Sequence, residues 1–312
     1  THLEACSIRE ERQHNSWPPN SPHLRRSWYS FRSSGIRKIE LLKPSGRSSL
    51  CSRTLLLTVL RARKRFGQNF LVDTGVIQKI IGSIDIKPGD HIVEIGPGRG
   101  ALTEPLSDSR CDLTLIEIDS DLTAELSVRF PDTRLINQDV MKIDFNAFEG
   151  KSPIRIIGNL PYNISTPLLF KLFDSGAHIH DMHFMLQREV VDRMTALPST
   201  KAYGRLSVMT QLHCHTEKLF EVPPQAFSPR PKVQSAIIRL TPNKKATDVD
   251  QKLLESILIQ AFSMRRKTIR NALRKFLTAD ELESLHLNPQ LRPENLTIDN
   301  YLSCTRFVGD RQ

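Results

Sequence analysis

The chain has 312 residues, 39% hydrophobic and 25% charged, with a formal net charge of +10 and a sequence pI of about 9.5. That is room for one large α/β domain plus a smaller one, and the composition is that of a globular chain. The basic balance points toward a polyanionic partner. The five cysteines (Cys6, Cys51, Cys111, Cys214 and Cys304) are scattered and contain no CxxC pair, which argues against a disulfide framework or a zinc site and for a reducing compartment.

Residues 1 to about 60 read differently from the rest. WPPNSPHLRRSWYSFRSSG is rich in Ser, Arg, Pro and Trp and has no apolar period. A disordered basic arm, an organelle transit peptide and translated sequence upstream of the true start compete as readings. Glu4, Glu10, Glu11 and Glu40 count against a transit peptide, which is poor in acids. The apolar run LLLTVL (Leu55 to Leu60) is far shorter than the ~20 residues that span a bilayer. This leader is left out of the fold.

From Arg61 short β-like runs alternate with helical stretches. HIVEIG (His91 to Gly96) predicts a strand and ALTEPLSD the helix after it. DLTLIEID (Asp112 to Asp119), RLINQD (Arg134 to Asp139), IRIIGN (Ile154 to Asn159) and DMHFMLQ (Asp181 to Gln187) predict four more strands, separated by DLTAELSVRF and STPLLFKLFDSG as helices. EVVDRMTA begins the next helix. GRLSVMTQLHC and SAIIRLTP then read as two closing strands. This alternation predicts a mostly parallel sheet with helices on both faces and an antiparallel edge. After Pro242 the composition changes. Apolar residues from Leu253 to about Leu277 repeat at helical spacing, followed on the same predicted helix by Arg265, Arg266, Lys267, Arg270, Arg274 and Lys275. LTADELESLHL predicts another helix. The expected organisation is a leader over 1–60, an α/β domain over 61–242 and a small helical domain over 243–312.

The strand tips carry the chemistry. EIGPGRG (Glu94 to Gly100) follows a strand and opens a helix, so Gly96, Gly98 and Gly100 let the backbone turn tightly against a ligand, although a plain strand-to-helix turn has the same residues. Glu117, at the end of the second strand, is placed to accept both ribose hydroxyls of a nucleotide-like cofactor. Asp119 competes for that role but lies farther from the strand. Asp139, after Gln138 at the third tip, can accept from an adenine amine. Ligands of open α/β sheets bind at these carboxyl ends. The fourth tip is Asn159-Leu160-Pro161-Tyr162. An Asn oxygen and a nearby backbone carbonyl can both accept from an amino group, the proline stiffens the loop, and the tyrosine ring can stack on a base. An exocyclic base amine is a poor nucleophile, and two acceptors would stabilise the positive charge that develops on it during attack.

These residues carry a resemblance. Asn-Leu-Pro-Tyr is similar to the tetrapeptide of amino-group methyltransferases that use S-adenosyl-L-methionine, and to their RNA adenine branch. RKRFGQNFLVD (Arg63 to Asp73), EIGPGRGALT, GNLPYNISTPLLFKL, MLQREVVDRM, YGRLSVMTQ, FSPRPKVQSAIIRL and AFSMRRKTIRNAL resemble the KsgA family of small-subunit ribosomal RNA adenine dimethyltransferases. The resemblance runs from about residue 61 to the end. It implies a Rossmann-like class I methyltransferase sheet with a small C-terminal helical domain. It implies that Asn69 and Leu71 belong to a segment folded over the cofactor, that Gly96 lies under its methionine part, that Glu117 holds the ribose, Asp139 the cofactor adenine, and that Asn159 touches both cofactor and target. Tyr162 and Phe227 would sandwich the target adenine once it leaves its stack. Phe227, before a proline-rich turn, is equally the kind of aromatic that fills a core. Arg63, Lys64, Arg65 and Arg265, Arg266, Lys267 would touch RNA phosphates; as charge runs they could also be solvated faces.

The function implied is dimethylation of N6 on two adjacent adenines in the 3′-terminal hairpin loop of small-subunit rRNA, coupled to subunit maturation. The partner would be an immature 30S-type particle, with no metal, no membrane and a monomeric enzyme, in a bacterial cytoplasm or, less favoured, a mitochondrion. Two alternatives stay open: a large-subunit rRNA adenine methyltransferase of the antibiotic-resistance type, and a non-catalytic assembly or transcription factor on the same fold.

Overall fold

The computed structural model describes residues 68–148, 153–161, 164–175, 178–243 and 248–311. A short strand β1 (Phe70–Leu71) leads into helix α1 (Thr74–Ile84), which starts where the Asp73 carboxylate accepts the Val76 N–H at 3.0 Å. Then follow β2 (His91–Ile95), α2 (Thr103–Asp108), β3 (Asp112–Glu117), α3 (Ser120–Arg129), β4 (Arg134–Asn137), β5 (Ile154–Asn159), α4 (Ser165–Asp174), β6 (Ile179–Gln187) and α5 (Arg188–Met194). The chain continues through α6 (Arg205–His213), β7 (Cys214–Val222), β8 (Phe227–Ser228) and β9 (Ser235–Pro242). It closes with α7 (Gln251–Ser263), α8 (Ile269–Ala272), α9 (Ala279–Ser284) and α10 (Ile298–Gly309).

Seven strands form one sheet in the order β4-β3-β2-β5-β6-β9-β7. The first five are parallel, and β9 and β7 are antiparallel. The chain winds outward from β2 to β4 and then returns to the other side of β2 with β5. That reversal opens a crevice between β2 and β5 at their carboxyl ends, the position where such sheets bind ligands. The parallel strands are buried on both faces; Ile92, Val93, Ile156 and Ile157 are essentially inaccessible to solvent.

Two expectations from the sequence are corrected. GRLSVMTQLHC is not a strand: it forms α6, and the closing strand is the next segment, CHTEKLFEV. Ser207, Val208, Met209, Thr210 and Leu212 of α6 are all buried, so the helix shows no polar face and no 3.6-residue rhythm by which to recognise it. CHTEKLFEV hides for the opposite reason. It is an edge strand, and His215, Glu217 and Glu221 lie on its exposed side. The helix predicted to Leu277 stops at Ser263, and Arg265, Arg266 and Lys267 lie in the turn before α8. Three successive cations interrupt the apolar stripe there, and Thr268 starts a new helix.

The helical end has its own core of Leu254, Ile257, Leu258, Ala261, Leu273, Leu296 and Tyr301. That core also takes in Tyr203, Val208, Met209 and Leu212 from before β7. Beneath the sheet's other end lies a charged group that sequence reading missed. Arg155 of β5 makes a two-pronged pair with Asp181 of β6, at 2.9 and 2.7 Å, and reaches Asp90 at 2.7 Å and the Ile84 carbonyl at 2.6 Å. Arg239 of β9 donates to the Ser83 carbonyl at 2.6 Å and to His183 Nε2 at 3.1 Å. Two guanidinium groups thus seat the negative end of α1 on the sheet.

Candidate active site

The crevice is lined by the tips of β2, β3, β5 and the turn after β4, and by the segment Gln68 to Leu71. At the β2 tip Gly96 and Gly98 have φ of +67° and +58°. A side chain on Gly98 would also strike the Phe70 ring, 3.1 Å from the position a Cβ would take. Glycine is needed there on both counts. Glu117, at the β3 tip, is 5% exposed. It accepts from the Gly98 N–H at 3.2 Å and the Asp119 N–H at 2.9 Å. Burial pushes its carboxyl above the ordinary range, and those two N–H groups work against the shift. Asp119 is a helix cap: its carboxylate accepts from the Asp121 N–H at 3.1 Å and from Gln68 Nε2 at 3.2 Å. This leaves Glu117 nearer the ligand space, as its position on the strand suggested. Asp139 accepts the Met141 N–H with one oxygen, at 2.9 Å, and lines the crevice.

Asn159 ends β5. Its Nδ2 donates to the main-chain carbonyl of Asn69 at 3.1 Å, which fixes the amide and leaves its oxygen to accept. Gly158 before it is obligatory, since a Cβ there would sit 2.7 Å from the Ile95 carbonyl oxygen. Leu160 is buried, with its N–H 3.3 Å from the Met185 carbonyl, and Pro161 lines the crevice. The segment Gln68 to Leu71 therefore acts as a strap. It reaches Asp119 through Gln68, Asn159 through Asn69, Gly98 through Phe70, and β8 through the pairing of Leu71 with Phe227.

Phe227 is 3% exposed and belongs to the core around Ile80 and Leu102, yet it also lines the crevice. The core-filling reading of it holds. Tyr162, Arg63, Lys64 and Arg65 lie outside the described residues. Arg266 and Lys267 are exposed. Arg265 instead turns inward, with Nε 2.6 Å from Glu294 and Nη2 2.6 Å from the Lys201 carbonyl.

Sequence reading passed over three crevice residues, Phe70, Arg99 and Glu94. Phe70, inside QNFL, has the Arg99 guanidinium 4.7 Å above its ring. Glu94, a carboxylate in the middle of the apolar run HIVEIG, is buried beside Glu117. Its position in that run was the signal. It accepts from the Thr103 hydroxyl at 2.7 Å, and burial, reinforced by the Glu117 charge, pushes it up to about 7.

This fold and site define a Rossmann-like class I methyltransferase, whose methyl donor is S-adenosyl-L-methionine. The donor set fits that group: a glycine turn, the Glu117 and Asp139 carboxylates with acceptor capacity beyond their backbone contacts, and an apolar wall at Ile118 and Met141. The profile of the ribosomal RNA adenine dimethylase family matches residues 59–309. Ribosomal RNA small subunit methyltransferase A of Aeromonas hydrophila is 48% identical over 259 residues, 80% of this chain and 95% of that protein. The protein of the same name from Acinetobacter baylyi is 51% identical over 250 residues, 78% of this chain and 91% of that one. A dimethyladenosine transferase from Plasmodium falciparum has a TM-score of 0.68 and 26% identity, covering 78% of this chain and 98% of that chain. The 23S rRNA methyltransferase ErmE, at 24% identity, shares the fold with a TM-score of 0.60 over 77% of this chain and 100% of its own. The chain belongs to the ribosomal RNA adenine dimethylase family. It is an enzyme that methylates adenine in rRNA.

Proposed function

We propose that this enzyme dimethylates N6 of two adjacent adenines in the 3′-terminal hairpin loop of small-subunit rRNA, on an immature 30S-type particle in the bacterial cytoplasm, acting as a monomer. The observation that carries the chemistry is the Asn159 amide, fixed by the Asn69 carbonyl at the mouth of the cofactor crevice. The choice of subunit is supported by the relatives at 48–51% identity, which are named for the small subunit.

When bound, S-adenosyl-L-methionine supplies an electrophilic methyl on sulfonium. Glu117 holds the ribose hydroxyls and Asp139 the adenine amine, each with the oxygen capacity that its backbone contacts leave. Gly96 lets the backbone approach the methionine part, and Asn69 and Leu71 close over it. Asn159 Oδ1 and the backbone carbonyl of Leu160 accept the N–H groups of the target amine. They would stabilise the positive charge that grows on nitrogen as the N–C bond forms and the methyl–sulfur bond breaks, the amine proton then passing to solvent. Pro161 holds that loop rigid, and Phe227 offers its ring to the flipped base opposite Tyr162. Alignment of donor and acceptor supplies much of the remaining acceleration. Arg63, Lys64, Arg65, Arg266 and Lys267 take phosphates of the RNA.

The test offers labelled S-adenosyl-L-methionine with unmethylated small subunits, large-subunit RNA and duplex DNA, in parallel. Label is expected in the small subunit alone. Label in large-subunit RNA would move the enzyme to the resistance-type reaction. Cofactor binding without transfer to any of them would make it a binding factor.

A further inference from the structure

Besides the core packing of Ala196 and Tyr203, the segment between α5 and α6 is tied to the helical end of the molecule by a polar clasp. The Arg265 guanidinium pairs with Glu294 at 2.6 Å and donates to the carbonyls of Lys201 at 2.6 Å and Thr200 at 3.3 Å. Glu294 in turn accepts the Ser199 N–H on its main-chain carbonyl at 2.7 Å, and Asn295 Nδ2 donates to the Ser199 hydroxyl at 3.1 Å. Ser199 sits at φ +70°, a left-handed conformation uncommon for a serine.

The residues on either side of this clasp are unlike it. Lys201, Arg266 and Lys267 are exposed, and among the described residues none of their side chains has an ion-pair partner. Arg265 is the member of its run whose charge is already balanced, and at least two of its N–H groups are committed to acceptors within the chain. A phosphate is bound by donors and charge that are free to be given. By that measure Arg265 is poorly placed to contact RNA, and Lys201, which no motif singled out, is well placed.

We propose that Lys201, Arg266 and Lys267 form one phosphate-binding surface built from two distant segments, and that Arg265 and Glu294 are the positioning pair that assembles it. This rests on the reading that the basic turn meets rRNA. The clasp brings the Lys201 backbone against Arg265, next to Arg266, so the cations from both segments meet a single stretch of RNA backbone.

Glu294→Gln separates this from a direct phosphate role for Arg265. Removing a negative charge beside RNA-binding cations should tighten RNA binding if nothing else changes. The clasp requires the opposite. Binding of salt-washed, unmethylated small ribosomal subunits would be measured against salt for Lys201→Ala, Arg266→Ala, Arg265→Ala and Glu294→Gln, with melting temperatures alongside. Lys201→Ala and Arg266→Ala are each expected to flatten the log–log salt dependence by about 0.7 to 0.9. They should raise KM for the subunit rather than lower kcat, at an unchanged melting temperature. Glu294→Gln is expected to weaken subunit binding several-fold and to lower the melting temperature. Tighter binding by Glu294→Gln, with a flattened slope and normal melting for Arg265→Ala, would overturn the clasp. A wild-type slope for Lys201→Ala beside a flattened one for Arg266→Ala would remove Lys201 from the surface while leaving the RNA reading intact. Wild-type slopes for both would overturn the proposal together with the assignment of the basic turn to RNA.

Discussion

Glu94 is the residue whose ionisation costs this protein most visibly. Its carboxyl is raised by burial, and then by the Glu117 charge, to about 7 from an ordinary 4.5. The native state therefore holds this proton more tightly than the unfolded chain does. Stability is fully present below about pH 4.5 and is lost as pH rises toward 7. Glu94→Gln keeps an acceptor for Thr103 and removes the charge. Denaturant melts should show the variant equal to wild type near pH 4 and more stable at pH 8, by up to about 3 kcal/mol. A variant no more stable at pH 8 would show that the site solvates the carboxylate. Glu117 is predicted to act on the ligand instead. If Glu117 has the proposed ribose role, Glu117→Ala removes that acceptor, and cofactor titration should show affinity falling on the order of a hundredfold, with two hydrogen bonds to a charged group lost. Asp139→Ala should cost less, because Asp139 offers one oxygen.

At the scale of elements, β5 presents Asn159 at one end and Arg155 at the other, and both ends can be tested. Gly158→Ala would press a methyl against the Ile95 carbonyl and push β5 off β2. It should lower stability by about 1 to 3 kcal/mol and take transfer activity with it, because Asn159 moves with the strand. At the far end, Asp181→Asn would leave Arg155 with half its compensation in a buried place. Breaking such a pair costs about 3 to 5 kcal/mol, to be read from denaturant unfolding at pH 7. His183 sets the acid limit of this cluster. Burial, against the pull of Asp181, lowers it to about 4, so the folded state keeps it neutral and accepting from Arg239. Its contribution is present above pH 6.5 and is lost as pH falls toward 4, the reverse of Glu94.

The whole molecule shows which parts a sequence can disclose. The parallel strands were legible because each is a short apolar run between turn residues, and their tips were legible because glycine, acid and amide sit where a wound sheet places a ligand. Helix α6 was not, since burial on every side erased its rhythm. Arg155 and Asp181 were not, because they lie 26 positions apart and only strand pairing brings them together. The strap was half legible. QNFL, through the family resemblance, pointed to Asn69 and Leu71, but what Asn69 gives Asn159 is a main-chain carbonyl, which any residue possesses. Arg265 shows a related limit: a run of cations does not say which one also pairs within the chain, as this one does with Glu294.

The most direct measurement is nucleoside analysis of small-subunit RNA by mass spectrometry after incubation with the enzyme and S-adenosyl-L-methionine, with Asn159→Ala in parallel. The account predicts N6,N6-dimethyladenosine as the end product on two adjacent adenines, and none from Asn159→Ala while that variant still binds cofactor. Dimethyladenosine at wild-type yield from Asn159→Ala, or a methyl on any atom other than N6, would contradict it.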